Sequence, residues 1–163
     1  MLARLSLRFI VVLALCGAAL LALVTMFEAI IGAPLSFGTA TVVVLPLLFA
    51  ARSCGAVWVA DQQTKPGIKI ILGYGFWLGL LGLAVLVAVT TALQSLAPAG
   101  QIQTSPTEVL RLFAQRPAAG LMLIATSFGT VALITCTGFA LGVRAQMRLL
   151  SQPLPVASAD DKD

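Results

Sequence analysis

The feature that most constrains this chain is a series of four long apolar runs, each with at most one charged residue. From Phe9 to Phe27 the sequence has 19 residues without a charged side chain, between Arg8 and Glu28. A helix needs about 20 apolar residues to cross a hydrocarbon core of about 30 Å. At about 1.5 Å per residue, Arg8 and Glu28 lie about 30 Å apart, one at each interface. The run therefore predicts a first transmembrane helix over 9–27.

Three more apolar runs predict three more spans, over 35–60, 68–96 and 118–143. Gly32 and Pro34 supply the break after the first span, because glycine permits a turn and proline ends a helix. Pro46 falls in the middle of the second span, where a membrane bundle tolerates the kink that proline introduces. The third span begins with an aromatic belt of Tyr74, Phe76 and Trp77, and Trp58 is expected just beyond the same interface.

Composition indicates that lipid is the solvent for most of this surface. Only 10% of the 163 residues are charged, 60% are hydrophobic, and the mean hydropathy is +1.04. A soluble domain carries about 25% charged residues on its surface. The predicted fold class is therefore an all-α integral membrane protein, with residues 1–150 forming one bundle of four transmembrane helices.

The distribution of basic residues predicts the orientation. With the N-terminus in the cytoplasm, the inner segments hold eight of the ten basic residues and the outer segments hold only Arg111 and Arg116. Cytoplasmic loops carry an excess of Lys and Arg. We therefore expect a multi-pass protein of the bacterial inner membrane with both termini in the cytoplasm.

Two segments outside the spans have patterns of their own. Ser105-Pro106-Thr107-Glu108 is a capping box that predicts a short helix over 106–115, lying on the outer membrane surface. The segment 151–163 contains two prolines and ends in Asp-Asp-Lys-Asp, a composition typical of a disordered cytoplasmic tail.

The residues that most enzymes and metal sites use are scarce. The chain has no histidine, and Cys16, Cys54 and Cys136 have neither zinc-binding nor disulfide-framework spacing. We therefore expect no catalytic set, no metal and no cofactor. The formal charge of +4 does not indicate a nucleic-acid partner, because the basic residues lie between apolar runs and form no clustered face.

Small residues predict where the helices pack. Gly75 and Gly79 form a GxxxG pair in the third span, and Gly138 and Gly142 form another in the fourth. Such pairs let helix backbones approach closely. The interpretation favoured here is packing within the bundle, with a homodimer interface as the alternative. Hydroxyl residues of the fourth span, such as Thr126, Thr130 and Thr137, are expected to bond back to their own helix rather than line a polar path.

Two charged residues are candidate functional positions. Arg52 has apolar sequence on both sides and is a candidate contact for an anion or a lipid headgroup. The alternative is that its side chain only extends to the interface to keep its charge in water. Glu28 is a candidate interfacial carboxylate at the outer end of the first span. Because these two residues lie at opposite interfaces, they are not expected to pair.

The segment Ala50-Ala51-Arg52-Ser53-Cys54-Gly55-Ala56-Val57-Trp58-Val59, followed by a polar turn with Pro66, resembles a pattern in small uncharacterised bacterial inner-membrane proteins of four spans. The resemblance implies a four-span fold and no known activity. The predicted function is a non-enzymatic structural or accessory subunit that contacts the lipid bilayer and other membrane proteins. The alternative is a small transporter or channel that forms a homo-oligomer.

Overall fold

The computed structural model describes residues 1–32, 38–96, 111 and 114–151. Its elements are four helices: α1 (Leu2–Ile31), α2 (Gly38–Gln62), α3 (Ile68–Leu96) and α4 (Pro117–Ser151). Each is long and apolar enough to cross a membrane, and the described part of the chain contains no strand. The prediction of an all-helical fold with four such helices is confirmed.

The helices extend beyond some of the predicted spans. α1 starts seven residues earlier and ends four residues later than 9–27, and α4 continues eight residues past 143. The reason is that an apolar run marks only the part of a helix that crosses the hydrocarbon core. The hydrogen bonds of the helix backbone continue through the polar flanks until the chain turns. α3 covers the same residues as the predicted third span. The predicted outer helix over 106–115, apart from three of its residues, and the tail after Ser151 lie outside the described residues.

Gly32 ends α1 in the way its sequence position indicates. It adopts a left-handed conformation with φ 72°, and its N–H donates to the Glu28 carbonyl oxygen at 2.9 Å. A glycine in this conformation is the commonest C-terminal cap of a helix, because it has no Cβ to clash. Pro34, the other predicted breaker, lies outside the described residues.

α2 is the central helix of the bundle. It packs against α1 on one side and α4 on the other, and α3 packs against α4, so that the helices lie in the order α1, α2, α4, α3. Among the described residues, α1 meets α3 at few positions and α2 meets α3 at fewer. In the most apolar stretch of α2, 44% of the residues are buried, against 11% in α1. α1 is therefore the most peripheral of the four helices.

The buried core lies toward one end of the bundle. α1 begins there, α2 ends there, and residues 63–67 connect α2 to α3; we call it the turn end. The buried residues of α1 are Leu5, Phe9 and Leu13, all in its first half. Toward the far end α1 is much more exposed, with Met26 at 66% and Ile30 at 71%. The helices are therefore packed most closely at the turn end.

Pro46 lies inside α2 and is fully buried. Its neighbour Leu47 is also buried and packs toward α3, where it contacts the position of Gly82. The residue that most disfavours a helix interior is thus enclosed by other helices, as expected for proline in a membrane bundle.

Candidate functional site

The closest contact between helices is the one between α2 and α4, at Gly138 and Gly142. A Cβ atom at Gly142 would overlap the carbonyl oxygen of Arg52 and lie 2.9 Å from the carbonyl carbon of Arg52. At Gly138 it would lie 2.6 Å from the carbonyl oxygen of Leu48. The backbones of the two helices therefore touch, and only glycine fits at these two positions without moving a helix.

A second pair of glycines forms the contact between α3 and α4. A Cβ atom at Gly75 would lie 2.7 Å from the Cα atom of Cys136, and one at Gly79 would lie 3.1 Å from the Cα atom of Ala132. The structure thus places all four GxxxG glycines at contacts inside one chain, with α4 in both contacts.

Two further glycines outside the GxxxG pairs, Gly55 and Gly82, also lie at close contacts between helices. A Cβ atom at Gly55 of α2 would lie 3.0 Å from the carbonyl carbon of Phe139. At Gly82 of α3 it would lie 2.8 Å from the Cδ2 atom of Leu47. Gly82 is three residues after Gly79, and Gly55 has no glycine partner four residues away. A search for GxxxG pairs therefore misses both positions.

Thr135 connects α4 to α3 through a buried hydrogen bond. Its hydroxyl donates to the carbonyl oxygen of Gly75 at 2.8 Å, and the carbonyl oxygens of Val131 and Ala132 on its own helix lie 3.0 Å away. The side chain is fully buried, and it is the one buried polar residue among those described. A hydroxyl that finds an acceptor across a helix contact helps to hold that contact in an apolar environment.

The other hydroxyl residues of α4 behave as the sequence suggested. Thr126, Thr130 and Thr137 are exposed, and each donates to a carbonyl oxygen four residues earlier in α4 at 2.8 Å. These three hydrogen bonds stay within α4.

An aromatic cluster joins three helices near the turn end. The ring of Tyr74 in α3 stacks on Phe139 of α4 at 5.7 Å between centroids, and Trp58 of α2 meets Tyr74 edge to face at 6.4 Å. Trp58 is buried at 6% exposure, whereas Phe76 and Trp77 are exposed. Trp58 and Tyr74 are therefore packed in the bundle. Phe76 and Trp77 alone among these four residues fit a belt on the outer surface.

Arg52 lies at nearly the same height along the bundle as two other arginines. The thiol of Cys54 donates to the carbonyl oxygen of Leu5 at 3.4 Å, which sets these residues at one height. Arg8 lies three residues from Leu5 along α1, and Arg52 lies two residues from Cys54 along α2. Both offsets point away from the turn end, so the heights of Arg8 and Arg52 along the bundle differ by about 2 Å. Arg144 follows two residues after Gly142, which faces the Arg52 backbone. All three arginine side chains are exposed.

Glu28 lies at the opposite end of the bundle from this layer of arginines. It is half-buried on α1, 20 residues beyond Arg8, which corresponds to about 30 Å along the helix. The carboxylate and the Arg52 guanidinium are therefore not brought together.

The cysteines and carboxylates of the described residues form no cluster that could hold a metal ion. Cys54 is buried and all three cysteines are free thiols. What the arrangement provides is a closely packed scaffold at the turn end, together with exposed surfaces on α1 and along the arginine layer.

No model of a protein family matches the chain, and no curated protein or solved structure is significantly similar to it.

Proposed function

We propose that this chain is a non-enzymatic, multi-pass protein of the bacterial inner membrane that serves as a structural or accessory subunit. The observation that carries the proposal is the exposure of α1. Only 11% of its most apolar stretch is buried, the smallest share of the four helices, although its sequence is the most apolar of them. A helix that packs with one side against α2 leaves its outward face for another membrane protein.

The outward face of α1 has the residues that helix association in lipid favours. Ala14, Ala18 and Ala22 recur every four residues, and all three are exposed. They lie on the side of α1 away from the buried stripe of Leu5, Phe9 and Leu13. Small residues at this spacing let a second helix approach closely, which is how helices associate where lipid provides no hydrophobic drive.

The orientation in this proposal has both termini in the cytoplasm. It is supported by the basic residues at the turn end, where α1 begins and α4 ends. Seven of them are described there: Arg4, Arg8, Arg52, Lys65, Lys69, Arg144 and Arg148. An excess of Lys and Arg on one side favours the cytoplasmic location of that side.

The proposal is tested by purifying the full chain from its native membrane in a mild detergent and identifying what accompanies it by mass spectrometry. We expect a stoichiometric membrane-protein partner. Ala18→Leu should reduce its recovery at least tenfold, because about 1.4 kcal/mol lost from one close helix contact is a tenfold change. The matched control is Ala84→Leu on exposed α3 surface, which should leave recovery unchanged.

Three results would contradict the proposal or the role of α1 in it. A pure homo-oligomer without a partner would favour the small transporter or channel, with Glu28→Gln and Arg52→Ala as the variants to examine. A monomer with no partner would refute both functions. If a partner is present but Ala18→Leu and Ala84→Leu behave alike, α1 is not the docking helix.

A further inference from the structure

A groove of about 760 Å³ lies between α3 and α4 at the turn end of the bundle. Its walls are mainly apolar, with Ile71 and Leu72 on α3 facing Ala140 and Met147 on α4. This volume falls within the range of about 300–1,000 Å³ that is usual for sites of small molecules. The groove therefore has room for a substantial part of a ligand rather than for a single ion.

Three basic residues line one end of this groove. Lys65 comes from the turn between α2 and α3, while Arg144 and Arg148 lie one helical turn apart on α4, and all three side chains are exposed. Of the described residues that line the groove, none is acidic. Asp61, the acidic residue described at this end of the bundle, instead pairs with Arg4 at 3.3 Å. The positive charge of the groove is thus not neutralised by the described carboxylates.

The apolar part of the groove continues away from these cations along the helix. Cys136, Ala140 and Arg144 follow one another at four-residue spacing, so they share one face of α4. Eight residues of helix correspond to about 12 Å. The groove is therefore amphipathic, with cations at its end nearest the turn and an apolar floor that leads toward the middle of the bundle.

We propose that this groove binds an anionic glycerophospholipid. The phosphate lies against Arg144, Arg148 and Lys65, and an acyl chain follows the apolar floor past Ala140. Arginine suits this role because its planar fork donates two parallel hydrogen bonds to a phosphate. Basic pockets between transmembrane helices on the cytoplasmic side are the usual sites for such headgroups. This function goes beyond the accessory role proposed above and does not depend on any protein partner.

The test is native mass spectrometry of the full chain in mild detergent, titrated with phosphatidylglycerol or with phosphatidylcholine of the same acyl chains. We expect phosphatidylglycerol to bind more tightly. Each basic residue near a membrane surface contributes about a fivefold effect, so Arg144→Gln with Arg148→Gln should weaken phosphatidylglycerol binding about 25-fold. The phosphatidylcholine affinity should hardly change.

The matched control removes the same charge elsewhere at the same end of the bundle. Arg4→Gln with Arg8→Gln, which have the same spacing on α1, should leave phosphatidylglycerol binding within about threefold of the unchanged chain, because neither residue lines the groove. An equal loss in both double variants would mean general electrostatic attraction, and the proposal would be wrong.

An apolar variant separates a lipid from free phosphate. Ala140→Phe should weaken phosphatidylglycerol binding by filling the floor of the groove, and inorganic phosphate at millimolar concentration should not displace the lipid. Displacement by inorganic phosphate, or an unchanged affinity in Ala140→Phe, would refute an acyl chain in the groove. If phosphatidylglycerol bound only after removal of residues 152–163, the acidic tail would be the occupant of the groove in the full chain. The proposal would then fail.

Discussion

A methyl group added at Gly142 tests whether direct backbone contact holds α2 and α4 together. In Gly142→Ala the new Cβ would lie 2.9 Å from the carbonyl carbon of Arg52, whereas real Cβ contacts rarely fall below 3.4 Å. The helices must therefore separate by at least 0.5 Å, the difference between 3.4 and 2.9 Å. Because the atoms in the way belong to the α2 backbone, no side-chain rotation relieves the overlap.

The cost follows from what that separation does to the rest of the contact. A gap of about 0.5–1 Å forfeits a quarter to a half of the dispersion energy between facing atoms. Overpacking of a close contact costs about 1–3 kcal/mol, and the better helix propensity of alanine returns about 1 kcal/mol. Since the overlap is between backbones, we take the upper value and expect Gly142→Ala to lower the free energy of unfolding by about 2 kcal/mol.

The assay is unfolding by SDS in mixed micelles, followed by the fluorescence of Trp58 in a Trp77→Phe background. Trp58 is buried against Tyr74, so its emission reports the separation of the helices. The control is Gly129→Ala on the same helix, where an added Cβ has nothing within 4 Å. Its stability should stay the same or rise by up to about 1 kcal/mol. If the two variants unfold at the same SDS concentration, the proposed backbone contact does not exist.

The same SDS titration checks three further predictions. Thr135→Val should lower the free energy of unfolding by about 0.6 kcal/mol and by no more than about 1.7 kcal/mol, the mean and the maximum measured for hydrogen bonds between membrane helices. Thr137→Val should lower it less, because the hydrogen bond of Thr137 stays within α4; a larger effect at Thr137 would refute the assignment. Phe139→Ala should lower the free energy of unfolding by about 3–5 kcal/mol, because it leaves a cavity beside Tyr74. Phe49→Ala, at an exposed position, should lower it by less than about 1 kcal/mol. Similar values for the two variants would place Phe139 outside the core. Asp61→Asn should lower the free energy of unfolding by less than about 1 kcal/mol, because its ion pair with Arg4 is exposed to solvent. A loss of several kcal/mol would contradict a weak, exposed ion pair.

The sequence was sufficient to predict the four long apolar helices of the described residues, because such helices depend on local composition. A run such as 68–96 is mainly apolar with one charged residue, Lys69, near its start, and α3 has the same bounds. The cap at Gly32 was also predictable, since glycine before a break is a local signal. The ends of α1 and α4 were not, because polar flanks continue a helix without leaving a hydropathy signal.

The pairing of helices depends on contacts between residues far apart in the chain, and single-sequence patterns do not contain that information. GxxxG spacing drew attention to Gly75, Gly79, Gly138 and Gly142, but it did not show which helix each pair faces. The same reasoning cannot distinguish Trp58 in the core from Trp77 on the surface, because both are aromatic residues near one end of a span.

The buried hydrogen bond of Thr135 was missed for a related reason. Its position in the sequence places Thr135 on a different face of α4 from Thr126, Thr130 and Thr137. The sequence does not show that this face packs against α3. The groove between α3 and α4 was missed because Lys65 is separated from Arg144 by most of two helices.

The most direct test of the account is the accessibility of single cysteines in intact cells. The native Cys16, Cys54 and Cys136 are first replaced by alanine, and cysteine is then placed at one of four exposed positions: Ala3, Thr64, Gln115 or Ser151. A maleimide that cannot cross the membrane should label only the Gln115→Cys variant in intact cells, and the other three only in inverted vesicles. Labelling of Thr64→Cys in intact cells would contradict a four-span bundle with both termini in the cytoplasm.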